Sequence, residues 1–358
     1  MSNNKSKNKN IKILFFLGRP LSPLYALLMS FRAWLYARGF KRQERLPLPV
    51  ISVGNLSMGG TGKTPMVIYL GRLLKKAGLR PAVLSRGYGG NSKKAVNIVS
   101  MGGGEILSDA QEAGDEPVLL ARELQIPVIT GRRRVITGRY IVEQGCADVL
   151  IMDDGYQHLA LARDLNLALF NAAALPEDFR VFPGGPWREP QTALKRADCF
   201  VINGAENINE EQVKSFCLRL TDAYPGRPVF RGHYTADSLI DPEGIQRPIS
   251  ALPPGPLLAF CGIARPESFY QTVNTIAKSR VIERASFQDH HAFQEKDMIS
   301  LNRQAEETGC TALITTEKDM VKLNALSLTL PLWILRVKLT MPPDFERFVL
   351  TALPTVLQ

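Results

Sequence analysis

Apolar residues fall along this chain in two alternating patterns. Short runs rich in β-branched residues, Val50–Val53, Pro81–Ser85, Pro127–Thr130, Asp148–Met152, Leu165–Phe170 and Cys199–Ile202, read as strands buried on both faces. Stretches of helical character separate them, beginning with Met66 to Ala77. Strands alternating with helices predict a mostly parallel sheet covered on both faces, an α/β domain running to about residue 227. Residues 225–256 then become rich in proline and glycine, with strand candidates Val229 to Tyr234 and Ile245 to Ile249 around Asp241-Pro242-Glu243-Gly244, a hairpin linker. A smaller α/β lobe follows, with strands Leu257 to Cys261, Ala312 to Thr316 and Leu332 to Val337 and a helix Glu267 to Lys278.

Near the N-terminus the period changes. As a helix from about Pro23 to Arg38, Leu24, Leu27, Leu28, Phe31, Trp34 and Leu35 fall at three- and four-residue spacing and make one apolar face. Charge sharpens this picture, because the net charge of +10 is almost entirely local: residues 1–45 hold ten lysines and arginines against the single acid Glu44. Cations interleaved with aromatic and aliphatic residues suit an anionic membrane surface, and a basic excess confined to one end argues against a nucleic-acid partner. Arg19, Pro20, Pro23 and Arg32 leave an uncharged run of only 12 residues, where a bilayer span needs about 20. The segment is therefore expected to lie on the membrane; the other reading packs the same face on the protein's own core. The five cysteines are scattered, fitting a reducing compartment and giving no zinc or disulfide signal. No obligate protein partner is evident.

The most specific chemistry lies at Val50-Ile51-Ser52-Val53-Gly54-Asn55-Leu56 running into Ser57-Met58-Gly59-Gly60-Thr61-Gly62-Lys63-Thr64. A strand, a glycine loop and Lys-Thr opening a helix form a P-loop, whose backbone N–H groups converge on nucleotide phosphates. Lys63 reaches the outer phosphates, and the Thr64 hydroxyl ligates Mg²⁺. The pattern's first glycine is Ser57 here, and Met58 replaces the lysine usual in partitioning ATPases.

Further motifs extend the site. Val149-Leu150-Ile151-Met152-Asp153-Asp154 is an apolar strand ending in acid, the expected second half of a nucleotide–Mg²⁺ site. Gly155-Tyr156-Gln157-His158 continues it, with His158 either structural or functional. In Gly114-Asp115-Glu116-Pro117 one carboxylate can take a proton from an acceptor hydroxyl while the other assists metal binding or orientation. Arg86, the run Arg132-Arg133-Arg134, and Arg188 can neutralise phosphate charge. The pair His290-His291 follows Asp289, and Thr316 of Thr315-Thr316-Glu317-Lys318-Asp319 is a helix-cap candidate with structural charges around it.

In order, I-S-V-G-N-L-S-M-G-G-T-G-K-T-P, S-R-G-Y-G-G, G-D-E-P, D-D-G-Y-Q-H, F-P-G-G-P-W-R-E, D-H-H and T-T-E-K-D closely resemble the tetraacyldisaccharide 4'-kinase family of lipid A biosynthesis, over almost the whole chain. The resemblance implies transfer of the ATP γ-phosphate to the 4'-hydroxyl of a tetraacyldisaccharide 1-phosphate, a lipid A precursor, giving lipid IVA at the cytoplasmic face of the bacterial inner membrane. It implies Asp115 as catalytic aspartate with His290 as partner and Lys63 on the phosphates. It further implies nucleotide binding by Ser57 through Thr64, metal contacts from Thr64, Asp153, Asp154 and Glu116, and substrate contacts from Arg86, Tyr88, Arg134, Gln157, His158 and Arg188. The expected organisation is 1–45 as a basic membrane-surface segment, 46–227 as a P-loop kinase core, 228–256 as hairpin linker and 257–358 as second α/β lobe. Two rivals remain: a membrane-associated ATPase switch, disfavoured by Met58, and a kinase with a soluble acceptor, disfavoured by the basic aromatic N-terminus.

Overall fold

A computed structural model describes residues 14–176, 178–204, 210–263, 266–278, 280–289, 291–323 and 328–353. In chain order the elements are α1 (Ser22–Ala37), β1 (Val50–Gly54), α2 (Lys63–Lys76), β2 (Pro81–Ser85), β3 (Asn97–Met101), α3 (Ala110–Ala113), α4 (Asp115–Leu124), β4 (Pro127–Thr130), α5 (Arg134–Gln144), β5 (Val149–Asp153), β6 (Leu165–Asn171) and β7 (Cys199–Asn203). There follow α6 (Glu210–Ala223), β8 (Val229–Ile240), β9 (Gln246–Arg247), β10 (Leu257–Cys261), α7 (Pro266–Ile276), β11 (Val281–Ser286), α8 (Glu295–Glu307), β12 (Ala312–Thr316), α9 (Glu317–Met320), β13 (Leu332–Thr340) and α10 (Pro343–Ala352). The parallel strands expected from the sequence are present, whereas β3 and β11 carry too little apolar pattern to be read in advance.

The chain divides into two compact units, and neither is a continuous segment. The first comprises 1–86, 131–233 and 341–358; the second comprises 87–130 and 234–340. This departs from the linear division expected above. Residues 87–130 fold with the later part of the chain, and the last segment returns to the first unit. No local pattern of hydrophobicity can signal such an exchange, because it depends on which distant elements pack together.

In the first unit six strands run parallel in the order β8-β7-β6-β1-β5-β2. Every residue of β1, β2, β5 and β7 is buried, as expected for a sheet with helices on both faces. β1 lies between β5 and β6, with Val53 opposite Asp153, so the chain leaves β1 directly beside the acids that end β5.

In the second unit β11-β10-β12-β13 are parallel, β3 pairs antiparallel with β4, and β8 turns back on β9 through Asp241–Gly244. Asp241 fixes that turn by accepting from the Ile245 amide at 2.7 Å and from Arg247 Nε at 2.6 Å. Glycines set the approach to α4. Gly114 has φ +92°, and a Cβ there would stand 2.4 Å from the Tyr88 carbonyl oxygen. Gly114→Ala is expected to destabilise the fold by at least about 1–3 kcal/mol through backbone strain alone. Calorimetry should record a Tm lower by several degrees; an unchanged Tm would refute this packing argument.

α1 settles which way its apolar stripe points. Ser22 Oγ donates to the Val181 carbonyl, Tyr25 and Ala26 pack on the cluster around Trp187 and Phe200, and Arg32 Nη2 donates to the Gln157 carbonyl at 3.0 Å. The opposite face, with Leu24, Leu27, Leu28, Phe31 and Trp34, is exposed. The reading that packs this face on the protein's own core is therefore wrong: the side that meets the core carries Ser22, Tyr25, Ala26 and Arg32. The helical stretch Leu14–Ala37 reaches 24 residues and by length and composition alone is long and apolar enough to cross a membrane. This is longer than the charge interruptions suggested, because Arg19–Leu21 continues as a 3-10 turn instead of breaking the rod.

Candidate active site

The P-loop joins β1 to α2 with two glycines in conformations a side chain disfavours: Gly59 at φ +124° and Gly62 at φ +81°. A Cβ on Gly59 would meet no protein atom within 4 Å, so the space above the loop is open. Ser57, the departure from the common pattern, pairs antiparallel with Trp187, so the loop's first position is strand-like and needs no glycine. Met58 N donates to the Pro186 carbonyl at 2.7 Å and Arg188 N to the Leu56 carbonyl at 2.7 Å, which ties the Phe182–Glu189 motif to the P-loop. α2 begins at Lys63 without a side-chain cap, leaving first-turn N–H groups and the positive end of a 14-residue helix directed at the loop.

Three asparagines hold this loop, and the sequence reading missed all of them. Asn203 Nδ2 donates to the Thr61 carbonyl at 2.9 Å, Asn171 Nδ2 to the Gly60 carbonyl at 3.0 Å, and Asn55 Nδ2 to the Ser57 carbonyl at 2.8 Å. The first two end β7 and β6; their only sequence signal is a polar residue closing an apolar strand, and it acquires meaning once strand order places those ends beside the P-loop.

Asp153 and Asp154 differ in role. Asp153 is buried, and its Oδ2 accepts from Ser85 Oγ at 2.9 Å. Asp154 takes a left-handed backbone, φ +46°, rare for a residue with a side chain and characteristic of functional turns. Arg188 Nη1 donates to both its carboxylate oxygens at 3.2 and 3.0 Å, and Lys63 Nζ lies 3.6 Å away. Burial alone would raise the Asp154 pKa, but Lys63, Arg188 and Arg134 outweigh it and hold the carboxyl below its ordinary range. Lys63 Nζ also reaches Asn55 Oδ1 at 3.4 Å.

The arginine run resolves into unequal parts. Arg132 and Arg133 are exposed, whereas Arg134 is 5% exposed and donates to the Asp154 carbonyl at 3.3 Å. Its Nε is buried without a protein partner, a donor that suits an anion. Arg86 is exposed at the end of β2. Gln157 Nε2 donates to the Asn55 carbonyl at 2.9 Å, which brings D-D-G-Y-Q-H against the P-loop.

His158 is kept neutral. Burial first, and then the positive charges of Arg134, Arg163, Arg32 and Arg86, press its pKa from 6.5 down to about 3, and its buried Nε2 has no protein partner. Because the unfolded chain takes up this proton near pH 6.5 and the native one only near pH 3, stability is full above pH 6.5 and falls as the pH drops below it. Between pH 7 and pH 5 the native protein should lose about 2 kcal/mol more than His158→Gln does. Urea titrations at the two pH values measure this; equal losses would mean that His158 is not held neutral.

The second unit carries the other predicted groups. Asp115 opens α4 and is 9% exposed, with Lys322 Nζ 3.3 Å from its Oδ2. Glu116 is 3.4 Å from Lys318 Nζ, so its demonstrated partner is a cation. Tyr88 is exposed. His291 is a structural histidine: its Nε2 lies 2.9 Å from Asp297 Oδ2, and its ring is stacked on Phe287 at 4.8 Å. His290 lies outside the described residues.

No group of three or more His, Cys, Asp or Glu side chains among the described residues could hold a metal by itself. Mg²⁺ fits this donor set as an ion shared with nucleotide phosphates, which Thr64 and the acids ending β5 would contact, since Mg²⁺ keeps much of its water and needs few protein ligands.

Phosphate-binding backbone, a lysine, paired acids at the next strand and buried arginine around them define a P-loop nucleotide-binding protein of the phosphotransferase kind. Residues 14–354 match the family model of tetraacyldisaccharide-1-P 4'-kinase, and the chain belongs to that family. A tetraacyldisaccharide 4'-kinase from Desulfotalea psychrophila is 44% identical over 339 residues, covering 94% of this chain and 96% of the relative. The enzyme of that name from Syntrophus aciditrophicus is 41% identical, covering 92% and 90%. Among solved structures, LpxK from Aquifex aeolicus, described as an apo form in complex with ATP, superposes with TM-score 0.75 at 31% identity, covering 94% of this chain and 98% of that one.

Proposed function

We propose that this protein transfers the γ-phosphate of ATP to the 4'-hydroxyl of a tetraacyldisaccharide 1-phosphate, giving lipid IVA. The observation that carries the reading is the P-loop with Lys63 and Arg188 converging on Asp154 at the end of the neighbouring strand, in a chain of the 4'-kinase family. The backbone of Ser57 to Thr64 cradles the phosphates and α2 presents its positive end to them. Lys63 and Arg188, now neutralised by Asp154, turn to the phosphoryl group as charge develops on it, with Arg134 supplying a buried positive field. Thr64, Asp153 and Asp154 would hold Mg²⁺, which would supply positive charge to offset that of the phosphates. Asp115 accepts the proton of the acceptor hydroxyl, and His290 assists it. Glu116, paired to Lys318, orients this region or joins the metal contacts when the ion is bound. Neutral His158, Gln157, Arg86 and Tyr88 contact the disaccharide or its phosphate. Transfer of γ-labelled phosphate to the acylated acceptor, compared with a deacylated disaccharide, tests the assignment; equal rates on both would point to a soluble acceptor.

We further propose that the enzyme works on the cytoplasmic face of the inner membrane, a reading that the exposed apolar face of α1 supports. One flank is fastened to the first unit through Ser22, Tyr25, Ala26 and Arg32, which leaves a single apolar face for lipid, the arrangement of a helix lying in the interface. Substituting Leu27, Leu28 and Phe31 with serine is expected to release the protein from anionic liposomes in sedimentation; undiminished binding would contradict this placement.

A further inference from the structure

The T-T-E-K-D-M-V-K turn enters the proposed mechanism only through the Lys318–Glu116 pair, yet it is built around the proposed base. Thr316 caps α9 by accepting from the Asp319 amide, and its hydroxyl donates to Asp319 Oδ2 at 2.8 Å. Asp319 is fully buried and also accepts from the Gly262 amide at 2.9 Å. The turn is therefore fixed from both sides, and two lysines extend from it. Lys318 Nζ reaches Glu116 at 3.4 Å and Asp289 at 3.2 Å. Lys322 Nζ reaches Asp115 Oδ2 at 3.3 Å and Asp319 Oδ1 at 3.5 Å. The Lys322 and Asp115 side chains are only 10% and 11% exposed, so their geometry is held away from water. A partly buried charge pair is costly to keep unless its position serves a purpose or completes a network.

We propose that Lys322, seconded by Lys318, positions Asp115 for proton acceptance, so that the T-T-E-K-D-x-x-K turn is an aiming device for the base. The inference rests on the assignment of Asp115 made above. A proton acceptor has to be ionised when the hydroxyl arrives and has to present one oxygen at a fixed place. Lys322 meets both needs by engaging Oδ2. On the other side Gly89 lies near Oδ1, where a Cβ would stand 3.7 Å from that oxygen, so no side chain from Gly89 covers it. Lys318 acts alongside by tying Glu116, the neighbour of Asp115, to Asp289, the neighbour of His290.

The test uses the full chain in detergent micelles with ATP and tetraacyldisaccharide 1-phosphate, and follows kcat and each KM in Lys322→Met, Lys322→Arg, Asp115→Asn and the Lys322→Met/Asp115→Asn double variant. Lys322→Met should lower kcat on the order of 100-fold, the scale of a misaligned catalytic group, with the KM for ATP unchanged. Lys322→Arg should recover much of the loss, and the double variant should be no slower than Asp115→Asn alone, because Lys322 acts through Asp115. Wild-type kcat in Lys322→Met, or losses that multiply in the double variant, would overturn the proposal. Melting temperatures separate it from a bridge that only holds the fold: if Met and Arg variants melt early alike and lose ATP binding together, the positioning role is wrong. Full activity in Asp115→Asn would instead remove the base assignment itself.

Discussion

Asp115→Ala is expected to lower kcat by about 10²–10⁴-fold, the usual worth of a positioned general base, while ATP binds as before. The separation follows from the role proposed for the residue, which acts on the acceptor hydroxyl and not on the nucleotide. Asp115 opens α4 in the second unit, whereas the P-loop, Lys63, Asp154 and the buried Arg134 belong to the first. Removing its carboxylate also leaves Lys322 with Asp319 as its remaining carboxylate contact among the described residues, so Asp115→Asn, which keeps the shape, is the cleaner companion. If both variants lose ATP affinity in proportion to turnover, Asp115 serves the nucleotide site and not the acceptor. Steady-state rates combined with nucleotide titration distinguish these outcomes.

Lys63→Met is expected to cost about 10²–10³-fold in kcat/KM for ATP, the scale for losing one preorganised charge at a reacting centre. Lys63 sits 3.6 Å from Asp154 and 3.4 Å from Asn55 Oδ1, held at the loop before any phosphate arrives. Without it Asp154 keeps Arg188 as its cation, so the fold should survive even though the transition state is poorly stabilised. A variant with near-native turnover would show that the phosphoryl charge is met elsewhere, with Arg188 and Arg134 the nearest candidates.

Much of this site is legible in the sequence because its chemistry is written locally. A glycine loop followed by Lys63-Thr64, or an apolar strand closing in Asp153-Asp154, needs only neighbours in sequence to be recognised. What the sequence withheld depends on packing at a distance. Asn171 and Asn203 hold the P-loop only because β6 and β7 fall on the β1 side of the sheet. Of three adjacent arginines only Arg134 turns inward, and periodicity cannot tell which. The two units interleave along the chain, so a linear partition at residue 227 could not find them. T-T-E-K-D read as a helix cap, which it is, but the reach of Lys318 and Lys322 to Glu116 and Asp115 appears only in three dimensions.

The fate of a labelled γ-phosphate decides between lipid kinase and ATPase. Purified protein is incubated with γ-labelled ATP, Mg²⁺ and tetraacyldisaccharide 1-phosphate in micelles, and the product is located by chromatography and phosphorus NMR. A 4'-kinase puts the label in the lipid, as a new monoester on the 4'-oxygen, formed in proportion to ADP. Release of the label as inorganic phosphate with the lipid unchanged would contradict that assignment and make the protein an ATPase.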